Sequence, residues 1–207
     1  MESLNEILNL KSKVKLNCPL CEKCCEYRGD IKITPINVLE ISKFLKITID
    51  DFINNYTTEV KGEEPERVIK GTGDKDYCIF NDRQSYKCQI HKVKPMQCVI
   101  FPLMPVDLNR DLFINTNRCV IANDKYTTVD KWVNGNNKIY SKNKKVYMRW
   151  IELMEEIQPW WKIIDDEKKE EIKKILFFEY DLKKDYEKQV LNNIKKAEDV
   201  FNESRLK

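Results

Sequence analysis

The sequence predicts an α+β protein in which a small cysteine-rich domain precedes an all-helical C-terminal extension. All 8 cysteines of the 207-residue chain lie before residue 120, where prolines separate short β-like runs. Beyond residue 122 there is no cysteine, and apolar residues recur at helical spacing. We therefore predict one domain over residues 18–122, with short antiparallel strands and a helical hairpin, and a helical extension over residues 123–207 packed on it.

The helical hairpin is predicted from two start signals. Thr34 followed by Pro35 is typical of a cap with proline at the first helical position, and the apolar face continues to about Leu45. Thr48, with the acidic Asp51 three residues later, predicts the start of a second helix. The buried positions of this second helix are predicted to be Phe52, Ile53 and Tyr56.

Short strands are predicted in the middle of the chain. The segment from Glu59 to Asp76 is polar and rich in turn residues. Two runs, Tyr77–Phe80 and Lys87–His91, read as strands joined by the polar loop Asn81–Tyr86, and Leu112–Asn115 reads as another.

Three amphipathic helices are predicted after residue 122. Pro159 would end the first, and Asp165 or Asp166 would cap the second. We expect Trp160 and Trp161 to serve helix packing. The apolar series are Val146, Trp150, Leu153 and Ile157; Ile172, Ile175 and Leu176; and Tyr186, Val190, Ile194, Ala197 and Phe201.

Four thiols lie within eight positions, at Cys18, Cys21, Cys24 and Cys25. Thiolates are soft anionic donors, and a C-x2-C-x2-C run can wrap three sulfurs around one zinc ion or iron centre. Adjacent side chains point in different directions, so we do not expect Cys24 and Cys25 to complete the same tetrahedral site. Two centres, or one centre with a spare thiol or a disulfide, remain open.

A second group of ligand-type residues follows far along the chain. It contains Cys78, Cys88, His91 and Cys98 in the pattern C-x9-C-x2-H-x6-C, with Cys119 further on. Pro95 is predicted to start a helical turn that places Cys98 near its N-terminus, where the helix dipole favours a thiolate. Pro102 would end that turn. His91 is a candidate ligand, and a hydrogen-bonded structural role is the alternative.

These residues resemble the signature of the YkgJ, or CxxCxxCC, family of zinc- or iron-chelating proteins. The matching parts are the run from Cys18 to Cys25 and the pattern from Cys78 to Phe101-Pro102; Lys94 stands where the family usually has arginine. The resemblance covers roughly residues 18–120 and implies metal chelation. Flagellin lysine N-methylases carry a similar region, thought to hold an iron–sulfur cluster used with S-adenosylmethionine, but a shared ligand set does not transfer a reaction.

Bulk properties restrict the classes of function. A net charge of +3 is too small to imply nucleic acid by itself. The first residues lack a basic region followed by an apolar core, and no run approaches the ~20 apolar residues of a membrane helix. We therefore expect a cytoplasmic protein without membrane contact. Cytoplasmic cysteines favour metal over disulfides, except in hyperthermophiles. A Lys-, Glu- and Ile-rich composition with only 5 glycines is compatible with a thermophile, so that exception stays open.

The leading hypothesis is a protein that binds iron, as a 4Fe-4S cluster or as ions, with zinc as the alternative. One alternative function is an iron–sulfur-dependent enzyme such as a protein lysine methyltransferase, although the sequence identifies no catalytic residue. Another is a zinc-stabilised nucleic-acid-binding or interaction module, although the acids Asp50 and Asp51 at the start of the second helix oppose nucleic-acid binding. A disulfide-stapled structural protein is the last. The predicted ligand pool is Cys18, Cys21, Cys24, Cys25, Cys78, Cys88 and Cys98, followed by Cys119 and His91.

Overall fold

The fold is a mixed one, as predicted, with long helices and short antiparallel strand pairs. The computed structural model describes residues 8–16, 25, 31–60, 64–73, 77–85, 87–105, 112–114, 126–135 and 138–205. The chain divides into two compact units that alternate along the sequence. The first unit comprises Met1–Gly29 and Gly71–Lys142, and the second comprises Asp30–Lys70 and Asn143–Lys207.

The first unit is built from short elements. Its strands are β1 (Lys13–Val14), β4 (Gly71–Thr72), β5 (Tyr77–Cys78), β6 (Asn81–Asp82), β7 (Lys87–Cys88), β8 (Leu103–Pro105), β9 (Leu112–Ile114) and β10 (Thr127–Thr128). Its helical elements are a 3-10 turn at His91–Val93, α3 (Met96–Ile100) and α4 (Val129–Asn134).

Among the described residues, the strands of the first unit form four antiparallel pairs. The pairs are β1 with β10, β4 with β5, β6 with β7, and β8 with β9. Three of these pairs contain only two residues per strand. The first unit also contains apolar side chains that are almost completely buried, at Phe80, Ile90 and Leu103. A two-stranded ribbon of this length is marginal alone, so these side chains supply the packing that the ribbons lack.

The second unit is mainly helical. Its elements are α1 (Pro35–Leu45), α2 (Ile49–Tyr56), β2 (Thr57–Glu59), β3 (Arg67–Ile69), α5 (Ile139–Ile157), α6 (Asp166–Phe177) and α7 (Tyr186–Arg205), of which α5 starts in the first unit. Strand β2 pairs antiparallel with β3, with Thr58 opposite Val68. The predicted helical hairpin is confirmed: Pro35 is the first residue of α1, and the Thr48 hydroxyl accepts from the Asp51 backbone N–H at 3.0 Å.

The predicted C-terminal helices are also confirmed. The apolar series on α5, α6 and α7 is buried, apart from a half-buried Tyr186 at the start of α7. Asp165 caps α6 by accepting from the Lys168 backbone N–H at 2.9 Å. Helix α7 packs against α6 and α1, so Phe201 is fully buried. Trp161 is buried, as expected for a packing residue, whereas Trp160 is 38% exposed beneath the guanidinium of Arg205.

Buried polar groups connect the helices of the second unit. Asn143 on α5 donates from Nδ2 to Glu40 Oε2 on α1 at 2.7 Å, and both residues are buried. Asn193 on α7 donates to the Ile175 carbonyl at 3.0 Å and the Glu179 carbonyl at 2.9 Å. These bonds satisfy groups that would otherwise be costly to bury.

The strand prediction was wrong in two details. Tyr77–Phe80 and Lys87–His91 do not pair as one hairpin: Cys78 lies opposite Gly71, and Cys88 lies opposite Asn81. The polar segment after Glu59 contains β3 and β4, which were not predicted. Backbone pairing over two or three residues leaves no alternation of side chains to detect. The domain boundary near residue 122 stays a prediction.

Candidate metal centre

Cys78 and Cys88 lie on two successive hairpins of the first unit. Cys78 is the last residue of β5, and Cys88 is the last residue of β7. Asn81 follows Cys78 by three residues and pairs with Cys88, which limits the distance between the two Cα atoms to about 15 Å. The backbone N–H of Gln89 donates to the carbonyl of Phe80 at 2.9 Å and extends this pairing by one residue.

The loop between β6 and β7 is fixed by Asp82. Its carboxylate accepts from the Ser85 hydroxyl at 2.6 Å and from the Gln84 backbone N–H at 3.0 Å. These hydrogen bonds, the Ser85 hydroxyl first, hold the pKa of Asp82 below its usual value. The acidic side chain is therefore engaged in the turn, which sets the spacing between β6 and Cys88.

Cys98 lies in the short helix α3, as predicted. Pro95 precedes the helix and accepts from the Cys98 backbone N–H at 2.9 Å. The helix ends at Ile100, directly before Phe101-Pro102, which agrees with the predicted stop. Trp132 on α4 donates from Nε1 to the Phe101 carbonyl at 3.1 Å and so fastens the end of α3.

His91 lies in the 3-10 turn between Cys88 and Cys98, and it is exposed. Partial desolvation of its ring, and then the positive charge of Lys94, lower the pKa of His91. A lowered pKa favours the neutral imidazole, which is the form that binds metals. This environment is compatible with a ligand role, but the role stays a prediction.

The four described cysteines, Cys25, Cys78, Cys88 and Cys98, all lie in the first unit and are all half-buried. The other four predicted cysteine ligands, Cys18, Cys21, Cys24 and Cys119, lie outside the described residues. Within the ranges given above, no group of three or more His, Cys, Asp or Glu side chains is arranged to hold a metal ion.

The pairing of β1 with β10 concerns the cysteines at both ends of the first unit. Val14 lies opposite Thr127 in an antiparallel register. The chain leads from Val14 to Cys18, and it returns to Thr127 from Cys119. The two cysteine-bearing segments therefore join the described structure at the same end of this strand pair.

Sequence reasoning missed three residues that fasten the cysteine-bearing elements. Trp132 contacts the end of α3, as described above. The other two are Arg83 and Tyr77, the residue directly before Cys78. The guanidinium carbon of Arg83 lies 4.3 Å from the centroid of the Tyr77 ring. An aromatic residue adjacent to a cysteine, followed by an arginine in the next turn, was the available signal. Because both residue types are common in surface loops, that signal has little specificity.

Comparison with known proteins identifies the class of domain. The chain belongs to the CxxCxxCC family, whose model matches residues 17–133 and is described as a "Putative zinc- or iron-chelating domain". The matched segment covers more than half of the chain, so the predicted family is confirmed.

A relative supports the same assignment. An uncharacterized protein of Methanocaldococcus jannaschii is 32% identical over 89 residues, which represent 43% of this chain and 45% of that protein. The chain thus aligns with less than half the length of the curated relative. No solved structure matches the chain. Among the described residues, no helix is long and apolar enough to cross a membrane.

The cysteine donors of the first unit fit zinc and iron, the two metals named in the family description. Cysteine sulfur is a ligand for zinc and for iron–sulfur centres, and half-buried thiols remain accessible to an entering ion. Cys78, Cys88 and Cys98 are the described residues that would hold the metal, together with Cys25. A zinc ion held in this way would stabilise the fold, and an iron centre would add redox chemistry.

Proposed function

We propose that this protein binds iron, in the form of an iron–sulfur cluster, through cysteines from both chain segments of its first unit. The observation that carries the proposal is the placement of four half-buried cysteines in one compact unit within the matched family region. Eight cysteines exceed the four ligands of one zinc site, and the chain has only one histidine. Both facts favour iron over a single structural zinc.

The proposed ligand set is split along the chain. Cys25 and the earlier cysteines supply its first part, and Cys78, Cys88 and Cys98 supply its second part. The common end at which the Cys18 and Cys119 segments meet β1 and β10 supports including Cys119. We place His91 in the set as an accessory ligand, because it lies in the 3-10 turn three residues after Cys88 and its ring is exposed to an entering ion.

The alternative functions receive less support from the described contacts. For nucleic-acid binding, α2 would have to present its first turn to phosphates, yet that turn carries Asp50 and Asp51. Asp51 is also occupied by the cap of α2, where it accepts from the Thr48 hydroxyl at 2.7 Å. A methyltransferase or another cluster-dependent enzyme would need a bound cluster with an open coordination position for its substrate.

Anaerobic purification of the full chain, followed by metal and sulfide analysis and an absorption spectrum, tests the proposal. Iron with sulfide and a broad visible band is the expected result. Stoichiometric zinc in a colourless protein would overturn the assignment of iron and indicate a structural zinc site instead. Absence of both metals, with no titratable thiols, would overturn metal binding in favour of disulfides.

The ligand set is tested by substitution. Cys78→Ser and Cys98→Ser are each expected to lower the metal content of the purified protein. Ser42→Ala is a suitable control, because this hydroxyl is buried in α1 of the second unit and makes no hydrogen bond to any residue that the structure describes. Equal metal content in all three variants would remove Cys78 and Cys98 from the set.

A further inference from the structure

A contact between two hairpins lies directly beside the candidate metal ligands. The first hairpin, β4 with β5, ends at Cys78, and the second hairpin, β6 with β7, ends at Cys88. Arg83 follows β6, and its guanidinium carbon stacks 4.3 Å from the centroid of the Tyr77 ring. Tyr77 belongs to β5 and precedes Cys78, so this contact connects the two cysteine-bearing hairpins.

The same guanidinium also lies near the turn that follows β4 of the first hairpin. A Cβ atom at Gly73 would lie 3.5 Å from Arg83 Nη1, which is ordinary van der Waals distance. Gly73 has φ +70°, a left-handed conformation that glycine adopts without strain. Arg83 therefore stacks on the residue before Cys78 and lies near Gly73 in the turn that follows β4.

The loop that carries Arg83 is itself fixed. Asp82, the residue before Arg83, accepts three hydrogen bonds, from the Ser85 hydroxyl and from the backbone N–H groups of Gln84 and Ser85. Arg83 is thus presented from a turn with few alternative conformations. A cation stacked on a ring from such a turn limits how far the two hairpins can separate.

We propose that Arg83 is a positioning residue, whose stacking on Tyr77 holds the Cys78 hairpin against the Cys88 hairpin and slows release of the bound metal. The inference rests on the proposed function, since it concerns the same ligands. Arg83 is exposed and is given no ligand role. Its effect on the metal passes through the distance between Cys78 and Cys88.

The test measures the rate at which the anaerobically purified full chain loses its metal to excess EDTA. Arg83→Ala is expected to release metal about 2- to 5-fold faster than wild type, the size of an exposed cation–π contact. Lys131→Ala is the charge control, because it removes one positive charge from an exposed position of α4 in the same unit. It is expected to release metal at the wild-type rate.

A double-mutant cycle separates the stacking contact from a general loss of structure. Tyr77→Phe keeps the ring and should leave release unchanged, whereas Tyr77→Leu should accelerate it. Combining Arg83→Ala with Tyr77→Leu should give no further acceleration, because both substitutions remove one contact. Far-ultraviolet circular dichroism of each variant reports whether the fold is retained.

Several results would overturn the inference. Equal acceleration by Arg83→Ala and Lys131→Ala would assign the effect to charge, and additive effects in the cycle would show that the two side chains act separately. An unchanged rate in Arg83→Ala would remove its positioning role while leaving metal binding intact. Wild-type protein that contains no metal would instead reject the proposed function, and this inference with it.

Discussion

The two compact units differ in the length of their regular elements and in what holds them together. In the second unit, α6 and α7 contain 12 and 20 residues, and residues such as Leu176 and Phe201 are completely buried between helices. In the first unit, three of the strand pairs have two residues per strand, and its helix α3 has five residues.

This difference indicates two sources of stability. Long amphipathic helices bury enough apolar surface to be stable through packing alone. Two-residue ribbons close few hydrogen bonds and need another constraint, such as a packed apolar cluster or a bound metal. All the cysteines of the proposed ligand set fall in the unit with the short elements. The predictions below test whether metal dependence is confined to that unit.

Metal removal should have the largest effect. Structural metal sites contribute on the order of 10 kcal/mol to folding of small cysteine-rich modules, so chelation should unfold or loosen the first unit. Most helical circular dichroism should persist, because α6 and α7 lie in the second unit. Thermal unfolding with and without chelator measures this. A single transition unaffected by chelator would remove the distinction between the units.

A substitution that creates a cavity in the core of the second unit should lower stability without changing the metal content. Phe201→Ala removes a fully buried ring of α7 and should lower the free energy of unfolding by about 3 to 5 kcal/mol. Phe44→Ala, at a residue that is 40% exposed on α1, is the control and should cost far less. Metal content per folded molecule should not change. Loss of metal in Phe201→Ala at temperatures where it remains folded would show that the units are coupled.

A single hydrogen bond tests the packing of the first unit. Trp132→Phe keeps a large aromatic side chain but removes the donor to the Phe101 carbonyl. We therefore expect it to lower the free energy of unfolding by about 1 to 2 kcal/mol. Hydrogen exchange of the α3 amides should accelerate more than that of the α7 amides. Equal acceleration in both helices would contradict an effect confined to the first unit.

The smallest effect concerns pH and the β2–β3 hairpin of the second unit. Burial, followed by the hydrogen bond and charge of Glu66, raises the pKa of Glu64 to about 7, while Lys32 Nζ, 3.3 Å away, opposes the shift. A raised pKa means that the folded state holds a proton that the unfolded state releases. Its contribution is therefore complete below about pH 4.5, the ordinary value for this carboxyl, and it is lost as pH rises to about 7.

Because solvent screens this half-buried carboxyl, we expect its titration to lower the free energy of unfolding by only on the order of 1 kcal/mol between those limits. Glu64→Gln should flatten the dependence, whereas Glu203→Gln, at an exposed acid of α7, should leave it as in wild type. Thermal unfolding across this pH range provides the measurement. A wild-type melting temperature that rises through the same range would contradict the assignment to Glu64.

Much of the helical part could be predicted from the sequence. Thr34-Pro35 and Thr48 gave correct helix starts because capping depends on local chemistry, and Phe201 was correctly placed in the core because helical spacing repeats over 20 residues. The strands were harder. Gly71 pairs with Cys78 through backbone groups, which leave no side-chain pattern to read.

The candidate site divides in the same way. The identities of Cys78, Cys88 and Cys98 followed from spacing and family resemblance, and the position of Cys98 in a short helix after Pro95 was predicted correctly. The stacking of Arg83 on Tyr77 was not, because it depends on the register of two hairpins that the sequence does not specify. Which cysteines share a metal stays a prediction.

The alternation of the two units along the chain has a consequence for biosynthesis. Helices α1 and α2 emerge from the ribosome early, yet α6 and α7, which pack against α1, follow more than 100 residues later. At ordinary translation rates this interval lasts roughly 5 to 30 s. During it, the apolar surface of α1 that α6 and α7 cover is without these neighbours. All 8 cysteines are synthesised before α6 begins, so the thiols of the first unit are available to a metal before the second unit can complete its core.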